Sequence, residues 1–81
     1  MAVVAAAASL AAVGAPFAYV TNQGSHDVTV VDLATREAVA TVPVKPAPAG
    51  VVAVGATARV YVGHAEAKAI SVIDMRSQRV V

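Results

Sequence analysis

The sequence predicts an all-β protein built from repeated antiparallel four-stranded units. Three observations lead there. The chain repeats itself at one constant offset, its apolar runs are short and rich in Val and Thr with polar turn residues between them, and helical spacing is absent within the repeat. Ala18-Tyr19-Val20-Thr21-Asn22 lines up with Val60-Tyr61-Val62-Gly63-His64, and Val28-Thr29-Val30-Val31-Asp32-Leu33 with Ile70-Ser71-Val72-Ile73-Asp74-Met75. Both alignments carry the same offset of 42 residues, with no gap between 18–39 and 60–81. Chance similarity does not keep register over such a length.

The strands follow in order. Residues 17–22 form a first strand, and Gln23-Gly24-Ser25-His26-Asp27 supplies Gly and Asp for a turn. Val28 to Leu33 is the second strand, and Ala34 to Glu37 a polar connection. Ala38 to Val44 is the third, where Pro43, lacking an N–H, belongs at the last ladder position or on an edge. The Pro- and Ala-rich Lys45 to Gly50 is a loop. Val51 to Val54 reads as a fourth strand closing the period, Gly55 to Arg59 turns, and Val60-Tyr61-Val62 opens the next copy.

Four short antiparallel strands in a period of about 40 to 45 residues match the blade of a β-propeller, a small twisted sheet packed face to face with its neighbours. A sheet covered on both faces explains why Val28-Thr29-Val30-Val31 and Val51-Val52-Ala53-Val54 are nearly all apolar. A sheet with one wet face would alternate with charged residues. Leucine-rich, ankyrin and tetratricopeptide arrays lack this strand-only pattern. The expected architecture is therefore antiparallel four-stranded blades of a propeller in an incomplete ring, since 81 residues hold just under two periods.

Tyr19-Val20-Thr21-Asn22 is the motif that names the YVTN family of propeller repeats. Val30-Val31-Asp32-Leu33-Ala34-Thr35, followed by Ala38 to Val44, resembles the rest of that repeat. The resemblance covers residues 16–81. The second copy has Gly63-His64 in place of Thr-Asn, and Gly55 to Arg59 stands where the family has a Pro-Asp-Gly turn. The resemblance implies a seven-bladed, WD40-like ring, often exported, of a kind that includes binding scaffolds, surface-layer proteins and cofactor-bearing electron-transfer enzymes. A shared fold does not choose among them.

Residues 1–15 have two readings. Met1 to Ala15 is uncharged and rich in Ala and Val, of the length of a signal-peptide apolar core, with Val13-Gly14-Ala15 as a small-residue cleavage site. No basic residue precedes it. Alternatively Leu10 to Ala15 repeats Val51 to Ala56 at an offset of 41, as a remnant strand of a preceding blade. A stable membrane span is not expected, because residues 17–22 belong to the repeat.

Composition narrows the chemistry. Apolar residues make up 58% of the chain and charged residues 14%, too hydrophobic for disorder and enough to leave surface for further protein. Six Lys and Arg against five Asp and Glu are scattered singly, and three aromatic residues leave little for base stacking, so nucleic acid is not expected as a partner. With no Cys, thiolate metal sites, disulfides, c-type haem attachment and cysteine nucleophiles are excluded within the chain.

Individual residues read mainly as structural. Asp32 and Asp74 recur at equivalent strand ends, where a carboxylate accepts hydrogen bonds from turn amides. Asn22 is a turn residue. His26 and His64 align with Lys68 and Asn22, not with each other, so they make no shared metal site and read as exposed loop histidines. His64 as a haem axial ligand is the sharpest alternative. Ser9, Ser25, Ser71 and Ser77 lack a nucleophile-elbow setting, and Gly50, Gly55 and Gly63 lack the strand-to-helix context of a phosphate loop.

No catalytic, cofactor-binding or metal-binding residue is assigned, no cofactor is expected of the chain, and it does not read as an enzyme by itself. The leading function is a repeat module of an exported, periplasmic or extracellular propeller acting as a binding scaffold for a protein or small molecule. Its partners are further blades or copies of itself. The alternative is a fragment of a haem- or quinone-bearing redox enzyme whose cofactor residues lie outside this chain.

Overall fold

The structure, a computed structural model, describes residues 11–14 and 16–81. Among these residues, eight strands form two separate antiparallel sheets, each an uninterrupted meander. The first holds β1 (Ala11–Gly14), β2 (Phe17–Asn22), β3 (Asp27–Asp32) and β4 (Glu37–Pro43). The second holds β5 (Val51–Val54), β6 (Arg59–His64), β7 (Ala69–Asp74) and β8 (Arg79–Val80) in the same spatial order. The sheets stack with β1 beside β5 and β4 beside β8. These are adjacent blades, and the predicted all-β class holds.

The repeat survives as register. Tyr19 faces Val30 across the β2–β3 ladder as Tyr61 faces Val72 across β6–β7, and Phe17 faces Asp32 as Arg59 faces Asp74. Pro43 ends β4, opposite Asp27, on the edge strand of its sheet, where its missing N–H costs nothing. The β3–β4 register skips Val39, a bulge that leaves this residue exposed.

Three expectations change. The segment Val51–Val54 opens the second sheet and does not close the first, because the Pro-rich stretch after Pro43 carries the chain from one sheet to the other. Ala11–Gly14 correspondingly pairs with β2 inside the first sheet, not in a preceding blade. Its offset is also 40, not 41: Ala11 faces Val20 as Val51 faces Val62, because two residues separate β1 from β2 where four separate β5 from β6. In that longer connection Gly55–Thr57 makes one 3-10 turn, closed by an N–H of Ala58 donated to the Gly55 carbonyl at 3.1 Å. The signal-peptide reading of the N-terminal segment lies mostly outside the described residues.

Hairpin geometry explains the turns. Each four-residue connection returns the chain through a left-handed residue at its last position: φ is 58° at His26, 62° at Arg36, 54° at Ala58, 51° at Lys68 and 58° at Gln78. His26 and Lys68 are repeat equivalents, as are Arg36 and Gln78. None is Gly, so each turn holds its conformation against a cost of about 1 to 2 kcal/mol for an L-residue there.

The core lies between the sheets. Tyr19, Val28, Val30 and Val42 from the first sheet meet Val60, Val62 and Ile73 from the second, all buried, with Phe17, Ala40, Val51 and Ala53 at the margin. Phe17 and Tyr19 make an edge contact, with ring centroids 6.5 Å apart and planes at 67°. Burial pushes the Tyr19 pKa up, and the Asp74 charge adds a lesser push in the same direction. Yet neither Tyr19 Oη nor Gln78 Oε1 has a hydrogen-bond partner. The ring thus stabilises by area and its hydroxyl does not help. Tyr19→Phe should leave stability unchanged or raise it by up to about 1 kcal/mol, whereas Tyr19→Ala should cost about 3 to 5 kcal/mol. Chemical denaturation of the two variants distinguishes these outcomes.

Candidate functional site

A meander places alternate connections at opposite ends of the sheets, and the two ends differ. One end carries the connections 33–36, 55–58 and 75–78, and its hydrogen bonds repeat from blade to blade. The N–H of Leu33 donates to the Pro16 carbonyl at 2.8 Å, and that of Met75 to Ala58 at 2.9 Å. The N–H of Arg36 donates to Asp32 at 2.7 Å, and that of Gln78 to Asp74 at 2.8 Å.

The aspartates brace this end. Asp32 Oδ1 accepts from the N–H of Ala34 at 2.8 Å, and Asp74 Oδ2 from that of Ser77 at 3.0 Å. Asp74 Oδ1 also takes Arg59 Nη1 at 3.0 Å, at the place where the first blade has Phe17 against Asp32. Hydrogen bonds from Ser77 hold the Asp74 carboxyl below its ordinary range against an opposing effect of burial, with lesser help from the Arg76 backbone and the Arg59 charge. A carboxyl depressed in the folded state contributes stability above its unfolded pKa, near about 3.9, and loses it as pH falls through the folded value. Asp74→Asn should therefore weaken the protein at neutral pH and flatten its loss of stability below about pH 4. Thermal melts across an acid pH series measure both effects.

The other end gathers the connections 23–26 and 65–68 around the crossing segment 44–50. His26 holds the crossing twice: its carbonyl accepts from the N–H of Val44 at 3.1 Å, and its Nδ1 from the N–H of Ala47 at 3.1 Å. Thr21 Oγ1 donates to the Ala49 carbonyl at 3.1 Å. From the second blade, the N–H of Ala49 donates to Gly63, and that of Gly63 to Gly50 at 2.8 Å. Pro48 is fully buried beneath these contacts. His26, Lys45 and Lys68 remain exposed around the crossing.

His64 departs from its reading as an exposed loop histidine. It ends β6, is buried, and has both ring nitrogens engaged: Nδ1 with the Pro46 carbonyl at 3.2 Å and Nε2 with Ser71 Oγ at 2.8 Å. A carbonyl only accepts, so Nδ1 carries the proton and Nε2 accepts from the serine. No ring nitrogen is left for a haem iron. Sequence reasoning found no Ser–His grouping, because residues seven apart meet only when adjacent strands pair.

The first blade answers whether this pair is chemical or structural. At the same two positions Asn22 Nδ2 donates to Thr29 Oγ1 at 2.8 Å, and also to Asp27 Oδ1 at 2.9 Å. Each blade thus carries one buried cross-strand polar pair, and His64–Ser71 is the second version of it. Among the described residues no group of three or more His, Cys, Asp or Glu converges as metal ligands, and no helix is long and apolar enough to cross a membrane. Ser71→Ala strands a buried imidazole nitrogen and should cost about 1 to 3 kcal/mol. Thr29→Val should cost less, since Asn22 keeps Asp27. Paired unfolding curves test the order.

No protein-family model matches the chain, and no curated protein matches it. Among solved structures it is similar to Kuenenia stuttgartiensis hydrazine synthase, with a TM-score of 0.82 and 26% sequence identity over 88% of this chain. The match takes in 21% of the synthase chain, so this chain corresponds to a small part of that protein.

Proposed function

We propose that the chain is a two-blade module of a YVTN-type propeller that serves as a binding scaffold, and that its recognition surface is the end bearing 23–26, 44–50 and 65–68. One observation carries the reading. The backbone hydrogen bonds of the two blades match at the aspartate end and diverge at the other, where His26 stands against Lys68 and Asn22 against His64. Repetition serves closure of the turns. Side chains that differ between otherwise equivalent loops on a rigid support are the means by which such proteins recognise ligands.

Two cationic side chains, Lys45 and Lys68, are exposed at this end beside His26 and the carboxylate of Glu66, around the backbone of the crossing segment. Anionic or hydrogen-bond-accepting groups on a protein or small molecule suit it. Export to the periplasm or cell exterior belongs to the same proposal and rests on the uncharged apolar residues 1–15 together with the YVTN resemblance.

Titrating the isotope-labelled chain with a panel of acidic peptides and small anions, followed by amide NMR shifts, tests the surface. Perturbations should cluster at 23–26, 44–50 and 65–68 and disappear in a Lys45→Ala, Lys68→Ala double variant. Perturbations confined to 33–36 and 75–78 would reverse the assignment. The second reading, a portion of a haem- or quinone-bearing redox enzyme with its cofactor residues elsewhere, draws support from the likeness to an enzyme structure. Cofactor absorption bands in the protein purified from its own source would favour it.

A further inference from the structure

Equivalent positions on the two blades differ sharply in cover. On the first sheet, the face bearing Tyr19, Val28 and Val30 is packed against the second sheet, and all three are 0% exposed. On the second sheet the same face bears Tyr61, Ile70 and Val72, and there Tyr61 is 37% and Ile70 67% exposed. Val52 and Val54 extend that apolar surface.

The opposite face shows the reverse. Val60, Val62 and Ile73 of the second sheet are buried against the first, while their equivalents Ala18, Val20 and Val31 are only half-buried. The chain therefore displays both halves of the interface that it already makes internally, one on each outer surface.

The crossing segment adds an independent sign. On the first blade it is hydrogen-bonded to Thr21 and His26. At the equivalent place on the second blade lies an open groove of about 620 Å³, lined by Gly50, Gly63, Lys68 and Ile70 among others. Gly63 stands where the first blade has Thr21, and a side chain there would approach the Gly50 carbonyl at 3.8 Å without a clash. Among the described residues, nothing fills this groove.

We infer that the exposed face of the second blade, around Tyr61 and Ile70, receives the first blade of a second copy of this chain through Ala18, Val20 and Val31, repeating head to tail the packing within the chain. This rests on the propeller-module reading. The two patches are different surfaces, so the contact is heterologous and propagates until rotation closes a ring. Closed propellers hold about four to eight blades, which about two to four copies supply. Burial of exposed Ile, Val and Tyr drives the association.

Complementation is the test. Light scattering on the 81-residue chain over a concentration series should show species heavier than the 8.1 kDa monomer. Ile70→Glu spoils one patch and Val20→Glu the other, so each variant alone should be monomeric. Mixed in equal amounts, they should form a 1:1 dimer through the one intact patch on each. If either loses its β-type circular dichroism, Ile70→Ser and Val20→Ser are used instead. A wild-type chain that stays monomeric, or a mixture that gives no dimer, overturns head-to-tail docking. The module reading is judged separately, by the NMR map of its loop end.

Discussion

Everything in this chain depends on one contact, the packing of Tyr19, Val28, Val30 and Val42 on Val60, Val62 and Ile73. Neither sheet can bury an apolar face by itself. A four-stranded meander has no interior, and its hydrogen bonds bring no net gain comparable to the area that a second sheet removes from water. Stacking makes a core, and the narrowness of that core explains its composition. Val dominates because a β-branched side chain covers a pleated surface with little loss of rotamer freedom, and Tyr19 provides the one large ring that spans the gap.

The crossing segment 44–50 then locks the second sheet in place. It bends at residues 45–47, where Ala47 is left-handed with φ 56°, and its polar backbone is satisfied from both sides, by His26 and Thr21 on one blade and by Gly63 and His64 on the other. A connection this short between two stacked sheets leaves little freedom for one to slide on the other. The exposed cationic side chains at this end are thus presented on a rigid support, the arrangement that lowers the entropic cost of binding.

The paired polar positions show how one fold accepts two chemistries. Asn22 with Thr29 and His64 with Ser71 solve the same problem, a hydrogen-bonding group buried at the end of the second strand of a blade. Asn reaches one neighbouring strand and the adjacent Asp27. His, with nitrogens on opposite sides of a ring, reaches a strand and the crossing segment at once. A serine–histidine hydrogen bond in isolation suggests a nucleophile, but its counterpart in the first blade identifies it as part of the repeated framework.

The sequence by itself determined the strands, their order and the role of the turns. Each of these follows from local chemistry repeated at a fixed offset: Val and Thr alternating with turn residues, Pro43 at an edge, and Asp32 and Asp74 at matching strand ends. Pairing partners across adjacent strands are also local, which is why the 42-residue register carried over intact. Only the tertiary structure decided which strands share a sheet, because Val51–Val54 is equally apolar whether it ends one blade or begins the next. The course of the crossing segment made that choice. The burial of His64, the polar pairs and the contrast between Tyr19 and Tyr61 were likewise beyond sequence reading. Identical residues at equivalent positions acquire different environments only when one sheet has a neighbour on a face where the other has none.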